Sequence, residues 1–125
     1  MLLEHWMLIT LALLFIKHWY VDFVVQTMEE VNTKGKYLAW PGTWHSIKHG
    51  IATFLVFFIM GESPEGAIIL AIVDLVTHYH IDWAKMNYGN RDIQTPQFWS
   101  HLGLDQLAHY LVYLLLVFAV VSNVQ

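Results

Sequence analysis

"AIVDLVTHYHIDWAKMN", residues 71–87, opens as a run that a lipid bilayer would accept and then places Asp74, His78 and Asp82 at intervals of four. Residues four apart share one face of an α-helix, with Cβ atoms about 5–6 Å apart. One helix therefore carries an apolar half and, beyond it, a ladder of ionisable groups. What that ladder faces decides both fold and function.

The same spacing recurs in His18/Asp22, His45/His49 and Asp105/His109. Each pair adjoins an apolar run, at residues 6–16, 51–60 and 111–121, as Asp74 adjoins the run 67–73. No run reaches the roughly 18 apolar residues that identify a transmembrane helix alone. Extended by its polar, helix-compatible half, each segment is long enough to cross. The 125 residues are 57% hydrophobic and 13% charged, with mean hydropathy +0.47, a membrane composition.

The expected fold is all-α, an integral membrane four-helix up-down bundle forming a single domain over residues 1–125, in contact with the lipid bilayer. Helices are expected at residues 2–27, 43–60, 64–86 and 97–122. "NTKGKYLAWPG" and "NYGNRDIQTP" separate them, and "GESPEG" is a tight link. In that link Ser63 suits the N-cap, Pro64 the first helical position and Glu65 the positive end of the helix dipole. Glu4 and His5 stand where a signal peptide would be basic, and no small-residue cleavage pattern follows the first apolar run, so the first helix is expected to be retained.

Four helices with short links run up, down, up, down. That brings all four polar halves to one side, together with Lys17, Lys34, Lys36, Lys48, Lys85 and Arg91. Glu4, Glu62, Glu65 and both termini fall on the other. The positive-inside rule makes the polar end cytoplasmic and the termini exterior, in an inner or plasma membrane. Trp19, Trp40, Trp44, Trp83 and Trp99 lie toward the polar side, as a headgroup-level belt would. A net charge of −4 gives no basic excess for nucleic acid, and the absence of cysteine excludes thiolate ligands.

A carboxylate at membrane depth costs about 2.5–3.5 kcal/mol, and neighbouring carboxylates repel, so a cation is the natural stabiliser. His18, Asp22, His45, His49, Asp74, His78, Asp105 and His109 are the candidate metal ligands. Eight such groups suggest two divalent ions; imidazole with carboxylate suits zinc or iron, and manganese where oxygen ligands dominate. Soluble di-iron bundles share the architecture but use glutamate with histidine three residues on. A metal-free network of His–Asp hydrogen bonds is the competing reading. Haem held by two histidines would leave the aspartates unexplained.

Other residues are given plainer roles. His5 is expected at the opposite interface and His80 off the ladder face, toward headgroups or a loop. Lys48 and Lys85 are expected to snorkel to the interface, with neutralisation of an anionic lipid or substrate as the alternative. Gln26 extends the first ladder; Gln106 either supports Asp105 or is a polar helix-start residue.

"HWYVDFVVQ" (residues 18–26), the histidines of "HSIKH", "DLVTH" and "DQLAH" together resemble an uncharacterised family of small multipass membrane proteins of bacteria and phages, a domain of unknown function. Val21 departs from the small residue that members tend to have there. The resemblance implies a polytopic membrane protein and supports the ligand set, without an activity to transfer. The chain is also distantly similar to membrane-bound metal-dependent hydrolases with His and Asp motifs on helices.

The functional expectation is a metal-dependent hydrolase acting on an interfacial substrate such as a lipid headgroup, with Asp82 or His101 as general base. The alternative is a non-enzymatic, metal-stabilised scaffold, a homo-oligomer or a subunit docked on a larger membrane complex. Ligand saturation separates them, because a catalytic site keeps an open coordination position and a structural one does not. Ion or proton movement along the ladders lacks a path through the apolar half.

Overall fold

Proline opens each of the last three long helices, at a position where the missing N–H breaks no helical hydrogen bond. Ser63 and Thr95 supply side-chain caps, accepting from the backbone N–H of Gly66 (3.1 Å) and Phe98 (3.3 Å). The computed structural model describes residues 1–123 and holds no strand among them. The helices are α1 (Leu3–Trp19), α2 (Met28–Thr33), α3 (Trp40–Ile59), α4 (Pro64–Tyr88) and α5 (Pro96–Ser122), with a π-helical turn, Tyr20–Val24, after α1.

Five helices therefore stand where four were expected, and the difference lies at the end of the first. The chain widens at Tyr20, where Val25 N donates to Tyr20 O at 3.1 Å, and the helix ends before Gln26, so Gln26 does not extend the ladder. A new helix then starts from a capping box. Thr27 Oγ1 accepts from Glu30 N (3.2 Å), while the Glu30 carboxylate accepts from Thr27 N (3.0 Å). Both orphan donors at the helix start are thereby satisfied. Thr27→Ala is expected to cost about 0.5–2 kcal/mol, seen as faster amide hydrogen exchange confined to α2 and the residues that follow it.

The long helices pack in the cyclic order α1, α3, α4, α5, each against two neighbours, and α2 lies on α3. Their interior has two halves. One is apolar, built from Leu14, Val56, Phe57, Leu70, Leu116 and Val117. The other is polar, and across the molecule more of the buried side chains are polar or charged than apolar. The outside is the reverse: Ile16, Leu55, Phe58, Ile69, Leu115 and Phe118 are all exposed. In water such a surface would be an aggregation hazard; against lipid tails it carries no penalty.

Three segments are long and apolar enough to cross a membrane, Leu3–Val24, Pro64–Tyr88 and Pro96–Ser122. The polar first half of α3, with His45, Lys48 and His49, keeps that helix out of the set.

Candidate metal centre

The π turn delivers Asp22 to the middle of the polar half, one turn beyond His18 on α1; such turns recur at functional sites. From α3, His45 and His49 bring Nε2 to 2.9 and 2.8 Å from Asp22 Oδ1. His78 of α4 brings Nε2 to 3.5 Å from the same oxygen, and His18 Nε2 lies 3.1 Å from Oδ2. His45 Nε2 and His78 Nε2 are only 3.3 Å apart. The rings crowd accordingly, His49 stacking on His78 with centroids 3.5 Å apart and His78 on His109 at 4.1 Å.

Next to this group, Asp82 Oδ2 lies 3.3 Å from His78 Nε2, and its Oδ1 lies 3.3 Å from His109 Nε2. Asp105 Oδ1 is 3.5 Å from the same His109 nitrogen. Three overlapping groups result, Asp22/His45/His49/His78, His18/His78/His109 and Asp82/Asp105/His109, each close enough to hold a metal ion. All these side chains are buried. A divalent cation among the Nε2 atoms would replace the protons that bridge imidazole to carboxylate.

Seven of the eight expected ligands thus come together. Asp74 stands outside these groups, because its Oδ2 accepts from Lys17 Nζ (2.7 Å) and Thr53 Oγ1 (2.5 Å). Lys17 Nζ also lies 3.2 Å from His49 Nδ1 and 4.7 Å from the centroid of the Tyr113 ring. Lys48 and Lys85 do not snorkel away either. Lys48 Nζ lies 2.6 Å from Glu30 Oε1 and Lys85 Nζ 3.0 Å from Asp105 Oδ2. Buried carboxylates, stripped of water, hold an ammonium more strongly than the interface does. Lys34, from the segment after α2, completes the set at 2.8 Å from Asp82 Oδ2. Gly42 makes room for it, since a Cβ there would meet Lys34 Cα at 3.0 Å.

Outside the spans, burial pushes the Glu30 carboxyl up, but the Lys48 ammonium and the Thr27 N–H outweigh it and hold the group below its ordinary value. Glu30 Oε2 lies 3.6 Å from His45 Nδ1, close to the edge of the histidine group.

The two candidate bases part company. Asp82 is enclosed within the buried groups. His101 lies apart from them, half-buried, its Nδ1 accepting from Asn90 N at 2.7 Å. It lines a cavity of about 390 Å³ between α4 and α5, together with Ile81, Ala84, Lys85, Leu104 and Asp105. His80 is exposed and bonded to Tyr37 of a connecting segment at 3.1 Å, the loop-facing position expected. His5 is exposed near the start of α1. Gln106 joins the site, its Oε1 accepting from His18 Nε2 (2.8 Å) and its Nε2 donating to Asp105 (2.9 Å).

Thr53 and Tyr113 were not expected at the site, although each sits four residues beyond a ladder histidine, His49 and His109. Tyr113 Oη pairs with His18 Nδ1 at 2.8 Å. Glu30 and Lys34 come from a stretch that reads as a connector; the Thr27/Glu30 capping pattern was the available signal.

Residues 10–125 match the model of a family described as protein of unknown function (DUF3307). No curated protein and no solved structure matches the chain.

Proposed function

This chain belongs to the DUF3307 family, and we propose that it is a polytopic membrane protein whose helices are held together by a buried divalent metal ion. In this reading the four long helices run up and down through the bilayer as a bundle. The positive-inside rule puts the polar end in the cytoplasm and the termini outside, in an inner or plasma membrane.

One observation carries the metal. Four of the buried carboxylates, Glu30, Asp74, Asp82 and Asp105, each have a lysine ammonium within 3.0 Å. Asp22 has no lysine partner among the described residues and is instead ringed by the Nε2 atoms of His18, His45, His49 and His78. Four ligand atoms around a tetrahedral ion at about 2.0–2.1 Å stand about 3.3–3.4 Å from one another. Four of the distances within Asp22/His45/His49/His78, from Asp22 Oδ1 to the three Nε2 atoms and from His45 Nε2 to His78 Nε2, run from 2.8 to 3.5 Å and bracket that value. Three imidazoles and one carboxylate favour zinc or iron over manganese. The lysines already neutralise the other carboxylates, which supports one ion in place of the two expected from a count of ligands.

Four protein ligands fill a tetrahedral ion, which favours the structural role, as a scaffold or as a subunit of a homo-oligomer or larger membrane complex. A metal-dependent hydrolase acting on an interfacial substrate is the second reading, favoured by the cavity that reaches Asp105 and His101. There the ion would acidify a bound water, with His101 or Asp82 as base.

Metal analysis of protein purified in mild detergent without chelator tests the proposal. About one zinc or iron per chain is expected, retained in His80→Ala and removed by a strong chelator with a fall in thermal stability. Protein that folds and holds no stoichiometric metal overturns it.

A further inference from the structure

Asp22 divides its two carboxylate oxygens between different neighbours. Oδ1 lies 2.9, 2.8 and 3.5 Å from the Nε2 atoms of His45, His49 and His78. Oδ2 lies 3.1 Å from His18 Nε2. That same nitrogen is 2.8 Å from Gln106 Oε1. An amide carbonyl and an ionised carboxylate only accept, so the hydrogen between them has to sit on His18 Nε2. The Gln106 amide is kept this way round by its other end, where Nε2 donates to Asp105 Oδ2 at 2.9 Å. Turned over, it would set an oxygen against that carboxylate.

A ring nitrogen that carries hydrogen has no lone pair to offer a metal ion. In the neutral ring Nδ1 is then the acceptor, and Tyr113 Oη, 2.8 Å away, donates to it. The ring is buried, and Tyr110 and Tyr113 pack against it edge-on with centroids 5.6 Å away in each case. We propose that His18 is a positioning residue and not a ligand: its Nε2–H holds Asp22 Oδ2, which turns Oδ1 toward the space shared with His45, His49 and His78. Tyr113 fixes the tautomer that allows this, and Gln106 ties the arrangement to Asp105. The inference rests on the metal reading above and excludes His18/His78/His109 as the place of the ion. Partners that hydrogen-bond a ligand without touching the metal are worth about 10- to 100-fold in affinity.

The test uses full-length protein in mild detergent with isotope-labelled histidine, compared by NMR before and after zinc is added. Ring-nitrogen shifts report which nitrogen carries hydrogen, and the His18 signals are assigned from their loss in His18→Gln. His18 is expected to keep hydrogen on Nε2 and a bare Nδ1 in both states. Loss of hydrogen from His18 Nε2 on zinc binding makes it a ligand and overturns the proposal. In competition with a chelator, His18→Ala is expected to retain about one zinc per chain with affinity lowered about 10- to 100-fold. His18→Gln, whose amide N–H can reach Asp22 Oδ2, is expected to recover most of that loss. Unchanged affinity in His18→Ala, zinc lost from it as completely as from Asp22→Ala, or no recovery in His18→Gln overturns the proposal. Should His18→Ala misfold, the tautomer of the wild type decides. Wild type that takes up no zinc overturns the metal reading and this role together, whereas zinc bound with His18 among its ligands sinks the inference alone.

Discussion

Asp74→Ala is expected to destabilise the protein by about 3–5 kcal/mol, the cost of leaving a buried charge unpaired. The charge left behind is the ammonium of Lys17, which is 8% exposed and has its shortest contact, 2.7 Å, with Asp74 Oδ2. Its other contacts, His49 Nδ1 and the Tyr113 ring, do not carry a full negative charge. The pair ties α1 to α4, so its loss loosens the packing of the first long helix. Lys17→Met alone is expected to cost a similar amount by stranding the carboxylate against Thr53. Lys17→Met combined with Asp74→Leu is expected to recover most of the loss, since replacing a buried ion pair with apolar groups is often close to neutral. Unfolding in detergent, followed by circular dichroism, measures all three. A double variant as unstable as the sum of the singles would show that the pair is not the interaction that matters. Metal content is expected to survive in Asp74→Ala, which separates this residue from the ligands.

Asp22→Ala is expected to do the opposite, removing the metal. It supplies the carboxylate of the Asp22/His45/His49/His78 group, and without it three imidazoles remain beside an Asp82 carboxylate that Lys34 already neutralises. Affinity is expected to fall by more than about 100-fold, beyond the usual loss for an outer-shell partner. Asp22→Asn keeps the shape and the oxygen acceptor but not the charge, and it is expected to lose metal as well. In both variants chelator is expected to leave thermal stability unchanged. Were Asp22→Asn to retain metal, the ion would lie in one of the other two groups.

Much of the site was legible because one number, four, fixes a helix face. His18/Asp22, His45/His49, Asp74/His78 and Asp105/His109 needed only that rule to be set on common faces, and seven of these eight residues meet. The lysines were illegible for a different reason. A long side chain beside a membrane can turn outward to headgroups or inward to a carboxylate, and the spacing of residues does not distinguish the two. Lys17 is the clearest instance, adjacent to His18 in sequence and yet committed to Asp74 on another helix. The end of the first helix failed on backbone grounds: nothing in "YVDFV" announces a π turn. The capping box at Thr27 and Glu30 was readable and marks α2.

The distribution of the lysine pairs among the helices also bears on how such a chain is made. Lys17 on α1 finds its carboxylate 57 positions later, on α4. A ribosome delivers the first span, with Lys17, His18 and Asp22 in it, well before α4 exists. If that segment enters a bilayer, each charge unanswered in the interval burdens insertion by up to about 2.5–3.5 kcal/mol. His45 and His49 arrive with α3 to meet Asp22, and Asp74 arrives with α4 to meet Lys17. On the membrane-spanning reading, the first helix synthesised is thus among the last to be settled, its place in a bilayer underwritten by residues that follow it.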